Sequence, residues 1–309
     1  YLANPDPALH FGLLADFLDA PVPEAPEDGE LLREARRRIQ ELNARYGQNR
    51  FYLFHRGRRF SRSEARWIGW ERKRGKLEEL NRLLNGEESG LAVEVGDPKL
   101  LGTIRYILTL DADTQLPPET ARRLVETMAH PLNEPRVAEE TRTVVEGYAI
   151  IQPRVCPSLP SATASLFSRL FSDSAGLDPY CHAISDVYQD LTGEGTFYGK
   201  GIYDPRVFHL VLTGRFPEER ILSHDLLEGA YLRVGFASDV VLLDQFPRTY
   251  GAYASREHRW IRGDWQLAEW LAPRVPLPDG RSEPNPLTIL NRWKIFDNLR
   301  RSLVAPATV

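Results

Sequence analysis

The sequence predicts an α/β sandwich with a mostly parallel central sheet flanked by helices. Short apolar runs alternate with longer segments of helical periodicity along the chain, the order expected of strands joined by helical crossovers. One run, IRYILTL (104–110), is almost entirely apolar or β-branched, the pattern of a central strand buried on both faces. It leads directly into two carboxylates, Asp111 and Asp113, in the position where open α/β sheets bind their ligands.

The elements follow in order. HFGLLADF (10–17) reads as a short buried strand, and a Pro- and acid-rich loop runs from Ala20 to Gly29. Leu31, Leu32, Ala35, Ile39 and Leu42 form one apolar stripe on a helix. FYLFHR (51–56) is a second strand. Ser61 or Ser63 is expected to cap a long helix that carries Trp67, Trp70 and Leu77 to Leu84 and ends near Gly86. A helix over 119–130 follows the carboxylates, GYAIIQPRV (147–155) is a strand, and 162–171 is a helix. GEGTFYGKG (193–201) is a loop or irregular strand, a helix begins at Ser223 or Asp225, and FASDVVLLD (236–244) is a strand. Arg256 to Trp270 is an amphipathic helix, a Pro-rich loop runs through Pro286, and a last helix covers 287–303.

The 309 residues suit one large domain, or one domain with an accessory element, and 42% hydrophobic residues are enough for a sizeable core. With 39 basic against 43 acidic residues, the net charge of -4 speaks against a bulk nucleic-acid binder. Two cysteines, Cys156 and Cys181, make neither a disulfide framework nor a metal cluster and favour a reducing compartment. No signal peptide is visible, and no apolar run reaches the roughly 18 residues of a membrane span. The abrupt start at Tyr1 and the apolar ending SLVAPATV are those of a piece of something larger.

Five stretches carry chemistry, each with a plainer alternative. Asp111 and Asp113 suit a divalent ion held against ligand phosphates, though Asp113 could simply cap the next helix. In RGKLEELN (74–81), Gly75 and Lys76 sit where a turn becomes a helix, a place that favours anions, or else on a solvated basic helix. The glycines of GEGTFYGKG allow close approach of a ligand, or of nothing but the chain itself. In ILSHDLLEG (221–229), Asp225 is a helix cap or a general base. In REHRWIRGDWQ (256–266), Arg259 and Trp260 pair a cation with an aromatic platform, or belong to an ordinary amphipathic helix.

Taken in order, these stretches resemble the processive inverting glycosyltransferases of the cellulose and hyaluronan synthase type. Those enzymes carry RGKxxxLN, Asp-x-Asp, a Thr-Glu-Asp base motif and Gln-x-x-Arg-Trp. Here the last two read Ser223-His224-Asp225 and Arg256-x-x-Arg259-Trp260. The long stretches YLANPDPALHFGLLADFLDAP, FYLFHRGRRF, WIGWERKRGKLEELNRLL, YILTLDADTQLP, LTGEGTFYGKGIYD, ILSHDLLEGAYLRVG and NRWKIFDNLRRSLVAP make a closer match. They are similar to the glycosyltransferase domain of cyclic β-1,2-glucan synthases.

The resemblance implies a Rossmann-like GT-A nucleotide-sugar transferase fold lacking the family's first strand. It divides the chain into a core over 1–250 and a part over 251–309 with the Arg-Trp helix, the Pro-rich loop and a membrane-proximal amphipathic helix. It implies glucose transfer from UDP-glucose to the 2-hydroxyl of a growing β-1,2-glucan with inversion, using Mg²⁺ or Mn²⁺. The implied roles are Asp225 as catalytic base and Asp111 and Asp113 as metal ligands. Asp16, Gly75, Lys76, Arg256 and Arg259 would bind donor and diphosphate, and Gly193, Gly195, Tyr198 and Trp260 the acceptor. The implied setting is the cytoplasmic face of a bacterial inner membrane, with membrane helices and a phosphorylase-like region as neighbours and no nucleic acid. In NRWKIFDNLRRSL, Trp293, Ile295, Phe296, Leu299 and Leu303 near one stripe, with Arg292, Lys294, Arg300 and Arg301 around it, suit such a surface. A haloacid-dehalogenase-type phosphotransferase is disfavoured because Gln115 stands where that motif has Thr or Val. A catalytically dead scaffold is disfavoured because it has no use for the carboxylates.

Overall fold

The computed structural model describes residues 1–172, 186–221 and 224–307. Cys181 and Ser223 therefore lie outside the described residues. The chain is mixed α/β, with several small sheets, and forms two compact units, Tyr1–Arg105 and Tyr106–Val309.

The first unit contains β1 (Phe11–Asp16), α1 (Asp28–Tyr46), β2 (Phe51–Arg56), β3 (Arg59–Ser61), β4 (Arg66–Ile68), α2 (Arg72–Leu84) and β5 (Ala92–Val95). Its three-stranded sheet runs β1-β2-β5, with β1 parallel and β5 antiparallel to β2. Only the middle strand β2 is buried throughout; β1 is an edge strand and is partly exposed, not buried as its composition suggested. Helix α1 closes one face by packing Leu32, Ala35, Ile39 and Leu42 around Phe51 and Leu53, while Leu31 points outward.

The long helix expected from Ser61 onward is broken in two. Phe60 and Trp67 face each other across the β3–β4 hairpin, with ring centroids 5.7 Å apart. Trp67 also exchanges both backbone hydrogen bonds with Ala20, at 2.9 and 3.0 Å. These pairings take up the groups that a helix through Trp67 would need, so α2 starts only at Arg72.

The second unit contains β6 (Ile107–Thr109), α3 (Thr120–Met128), β7 (Arg136–Ala138), β8 (Thr143–Glu146), β9 (Ile150–Pro157), α4 (Leu159–Ala162), α5 (Leu166–Phe171), α6 (Val187–Thr192) and β10 (Gly201–Tyr203). It continues with α7 (Pro205–Leu212), α8 (Asp225–Leu232), β11 (Val234–Asp244), α9 (Tyr250–Gln266), β12 (Arg274–Pro276), β13 (Ser282–Pro284), α10 (Ile289–Ser302) and α11 (Val304–Ala307). The principal sheet has the order β11-β9-β10-β6.

Strands β6, β9 and β11 point the same way, but β10 is inserted between β6 and β9 antiparallel to both. Among the described residues of this sheet only β9 and β11 pair in parallel, which corrects the expectation of a mostly parallel sheet. IRYILTL likewise supplies only the three-residue terminal strand β6 instead of a central one. Adjacent residues of the inner strands serve opposite faces, as strand geometry requires. Ile151 and Ile202 join Leu124 and Met128 of α3, whereas Ile150 and Tyr203 join Phe208, Leu227 and Ile295 on the other side.

Helix α10 divides its apolar residues between two directions. Ile295 and Leu299 are buried in the core, while Trp293, Phe296 and Leu303 are exposed. The expected single stripe is thus split, because Ile295 joins the core cluster and Leu299, one turn on, is buried too, while the i,i+3 pair Trp293/Phe296 stays exposed. Lys294 is buried instead of flanking a surface, and it donates to the Gly195 carbonyl at 2.7 Å. Among the described residues, no helix is long and apolar enough to cross a membrane.

Helices α9 and α10 meet at a polar contact in which Asn298 Nδ2 donates to Asp264 Oδ1 at 3.5 Å. Burial raises the Asp264 pKa to about 6, against the lowering effects of Asn298 and Arg301. The native state therefore binds more protons than the unfolded chain between the ordinary carboxylate range and about 6. Stability is lost as pH rises through that window. Asp264→Asn should raise the melting temperature at pH 7.5 by about 2–5 °C. The gain should shrink as the pH is lowered toward 4.5, which thermal scans across that range will measure.

Candidate active site

Asp111 and Asp113 lie in the loop that leaves the C-terminal end of β6. The loop is tied down locally by Thr114 N–H donating to the Asp111 carbonyl at 3.1 Å. Gln115 then exchanges two backbone hydrogen bonds with Leu243 of β11, at 2.7 and 3.1 Å. This bridge brings the end of β11, and with it Asp244, to the aspartates. Thr114 Oγ1 donates to Asp244 Oδ1 at 2.7 Å.

The cation at this point is Lys200, the residue just before β10. Its ammonium contacts Asp244 Oδ2 and lies 3.2 Å from Asp111 Oδ2. Lys200 and Asp244 are buried, Asp111 is half-buried and Asp113 is exposed. Desolvation pushes the Lys200 pKa down, but the adjoining Asp244 and Asp111 carboxylates outweigh it and the net shift is upward. Lys200 is therefore charged at neutral pH.

Asp225 is the first residue of α8 and not its cap, a position occupied by His224. Its carboxylate rests against Gly199, where an added Cβ would lie 2.6 Å from Asp225 Oδ2. Gly199 has φ +76°, so both the backbone conformation and the space exclude a side chain. The dipeptide Gly199-Lys200 thus touches Asp225 with one residue and Asp111 with the next. Behind Asp225, the buried His224 Nδ1 lies 2.8 Å from Glu228 Oε1 and 3.4 Å from Asp225 Oδ1.

The donor atoms of His224, Asp225 and Glu228 come within 4.8 Å of one another. An imidazole with two carboxylates suits a transition-metal ion. The short His224–Glu228 approach fits equally a carboxylate–imidazole pair that backs Asp225. For Mg²⁺ or Mn²⁺, Asp111 and Asp113 are the better donors, since such ions take one or two carboxylates and complete their shell with ligand phosphates. The exposed Asp113 suits that role, while Asp111 already carries Lys200.

The remaining predicted residues sort by unit. Asp16, Gly75 and Lys76 belong to the first. Asp16 receives Arg56 Nε at 2.7 Å, and Lys76 Nζ lies 3.4 Å from its other oxygen. Lys76 is in the second turn of α2, not at a helix start, because the helix begins four residues earlier at Arg72. Gly75 is buried in that helix, where an added Cβ would strike the Trp70 carbonyl.

In the second unit, Gly193 caps α6 in the left-handed region, and Gly195 N–H donates to the Val234 carbonyl at 2.8 Å. Tyr198 N–H donates to Gln152 Oε1 at 2.9 Å. The cation stacked on the partly exposed Trp260 is Arg256, 4.7 Å from the ring centroid, instead of the adjacent Arg259. Helix spacing decides this, since residues four apart share a face and neighbours do not. Desolvation lowers the Arg256 pKa, countered by Glu257, Tyr253, Asp244 and Asp113.

Lys200, Asp244 and Thr114 were not among the residues that the sequence pointed to. A signal existed for two of them: Asp244 ends an apolar strand as Asp111 does, and Lys200 stands alone between two glycines.

Gly199→Ala should cost about 1–3 kcal/mol of stability, from its left-handed backbone and the clash with Asp225. Gly251→Ala, in α9 with open space around it, should be neutral or stabilising by up to about 1 kcal/mol. Urea denaturation of both variants measures the contrast.

No family model matches this sequence. Along 99% of its length, however, the chain is 46% identical to the cyclic beta-(1,2)-glucan synthase NdvB of Rhizobium meliloti (strain 1021). The matched region covers 11% of that protein, so the chain spans about a tenth of its relative. The residues described above all fall within a chain that is, by this measure, homologous to one segment of a cyclic β-1,2-glucan synthase.

Proposed function

We propose that this chain is the inverting glycosyltransferase portion of a β-1,2-glucan synthase. It transfers glucose from UDP-glucose to the 2-hydroxyl of a growing glucan on a GT-A-type fold. The observation that carries the proposal is the single dipeptide Gly199-Lys200, which contacts the candidate base Asp225 and the Asp-x-Asp loop together. Base and leaving-group machinery are needed on one substrate at once, and this segment sits against both.

Asp225 accepts the proton of the attacking 2-hydroxyl as the oxygen bonds to the anomeric carbon. The bond from that carbon to the diphosphate oxygen breaks on the opposite side, so an α-linked donor sugar becomes β-linked in one displacement. Asp113, with Asp111, would hold a divalent ion, which would supply charge neutralisation for the departing diphosphate. Arg256 and Arg259 add positive charge on α9. Trp260, whose ring is partly exposed, contributes to binding of the acceptor sugar, as do Gly193, Gly195 and Tyr198. The exposed pair Trp293 and Phe296 on α10 suits contact with a membrane surface; the proposed setting is the cytoplasmic face of an inner membrane, with membrane helices and a phosphorylase-like region as neighbours.

Labelled UDP-glucose with a β-1,2-gluco-oligosaccharide acceptor should give a product cleaved by a β-1,2-specific glucanase. Lack of any transfer, or a product resistant to that enzyme, rejects the linkage. Asp225→Asn keeps the shape but not the proton acceptor, and should slow transfer about 10²- to 10⁴-fold while UDP-glucose still binds. Near-normal turnover would move the base elsewhere, to His224 first. Asp113→Ala should abolish both turnover and the metal-dependent part of UDP affinity; UDP titrations with and without chelator are the check.

A further inference from the structure

The two aspartates after β6 are not equivalent. Asp113 is exposed, whereas Asp111 faces an ammonium 3.2 Å away. That ammonium belongs to Lys200, which is buried and shared with the equally buried Asp244. Asp244 is held in turn by the Thr114 hydroxyl. The backbone around Lys200 has little room to withdraw. A Cβ at Gly199 would meet the Asp225 carboxylate, and one at Gly201 would lie 2.6 Å from the Ile151 carbonyl. Lys200 is thus a fixed positive charge beside one of the two proposed metal ligands.

We infer that Lys200 is a built-in competitor of the divalent ion at Asp111, and that Asp244 sets how strongly it competes. This rests on the reading of Asp111 and Asp113 as metal ligands. Asp244 draws the ammonium toward itself and so weakens its hold on Asp111. A diphosphate adds negative charge that accommodates both cations, so metal and diphosphate enter the site together and the metal alone binds weakly. At such separations, repulsion between like charges is worth more than a tenfold factor in affinity even at an effective dielectric of about 20.

Mn²⁺ binding to the 309-residue chain, followed by loss of the free-ion electron paramagnetic resonance signal, tests this with and without UDP. The double variant Lys200→Met/Asp244→Asn removes the buried pair without leaving a lone charge. It should tighten nucleotide-free Mn²⁺ binding at least about tenfold. Asp244→Asn alone leaves Lys200 to Asp111 and should weaken the same binding severalfold. A merely structural role for the pair would weaken binding in both, and that common direction overturns the inference. Should the double variant fail to fold by its melting curve, unchanged or tighter Mn²⁺ binding in folded Asp244→Asn overturns it equally. No Mn²⁺ binding by the unaltered chain even with UDP removes the metal reading, and the inference with it. Binding in which both variants shift together removes the inference alone.

Discussion

The buried contact between Lys200 and Asp244 holds the candidate site together. A lysine and an aspartate shielded from water are costly singly, and they persist only when each satisfies the other and the remaining polar atoms find partners. Here Asp244 receives the ammonium on one oxygen and the Thr114 hydroxyl on the other, while Lys200 reaches on to Asp111. Three chain segments far apart in sequence are joined by those contacts: the loop after β6, the residue before β10 and the end of β11. Loss of Lys200 would leave Asp244 buried without its counterion, the kind of change that typically costs several kcal/mol.

The antiparallel insertion of β10 makes that junction possible. Because β10 runs against β6 and β9, its N-terminal end lies beside the C-terminal end of β6. Lys200 therefore reaches the side of the sheet where Asp111 and Asp113 lie, where a parallel strand would have delivered its opposite end. The same turn presses Gly199 against Asp225 at the start of α8, so strand direction couples the candidate base to the carboxylate loop. His224 and Glu228, on the first turn of α8, hold a second polar pair behind that base.

Within the first unit, electrostatics follow a plainer logic. Asp16 ends β1 and is neutralised by Arg56 from the neighbouring strand and by Lys76 from α2. Gly69 lies directly beneath the Asp16 carboxylate, leaving no room for a side chain. A residue that the family resemblance implied as a ligand contact is a structural junction between strand, hairpin and helix. The proposed role is compatible with this structural one, since a carboxylate that pairs with Lys76 also orients that cation.

Much was legible in the sequence because local patterns are local physics. The stripe of Leu32, Ala35, Ile39 and Leu42 specified α1, the apolar run FYLFHR specified the buried strand β2, and FASDVVLLD marked most of β11. Asp111, Asp113 and Asp225 were visible as carboxylates at element ends, and long stretches of similarity pointed to the glucan synthase relationship. Strand neighbours and directions were not legible, since three-residue strands such as β6 and β10 carry too little periodicity to reveal either. Nor was the fate of Trp67, whose pairing with Ala20 is a contact between residues 47 positions apart in the chain. Lys200 and Asp244 escaped for the same reason. The sequence alone determined which groups are charged and where elements end, because those depend on residue type and spacing. Which charge meets which was decided only by the tertiary structure, because a buried ion pair is a property of the space enclosed between distant segments.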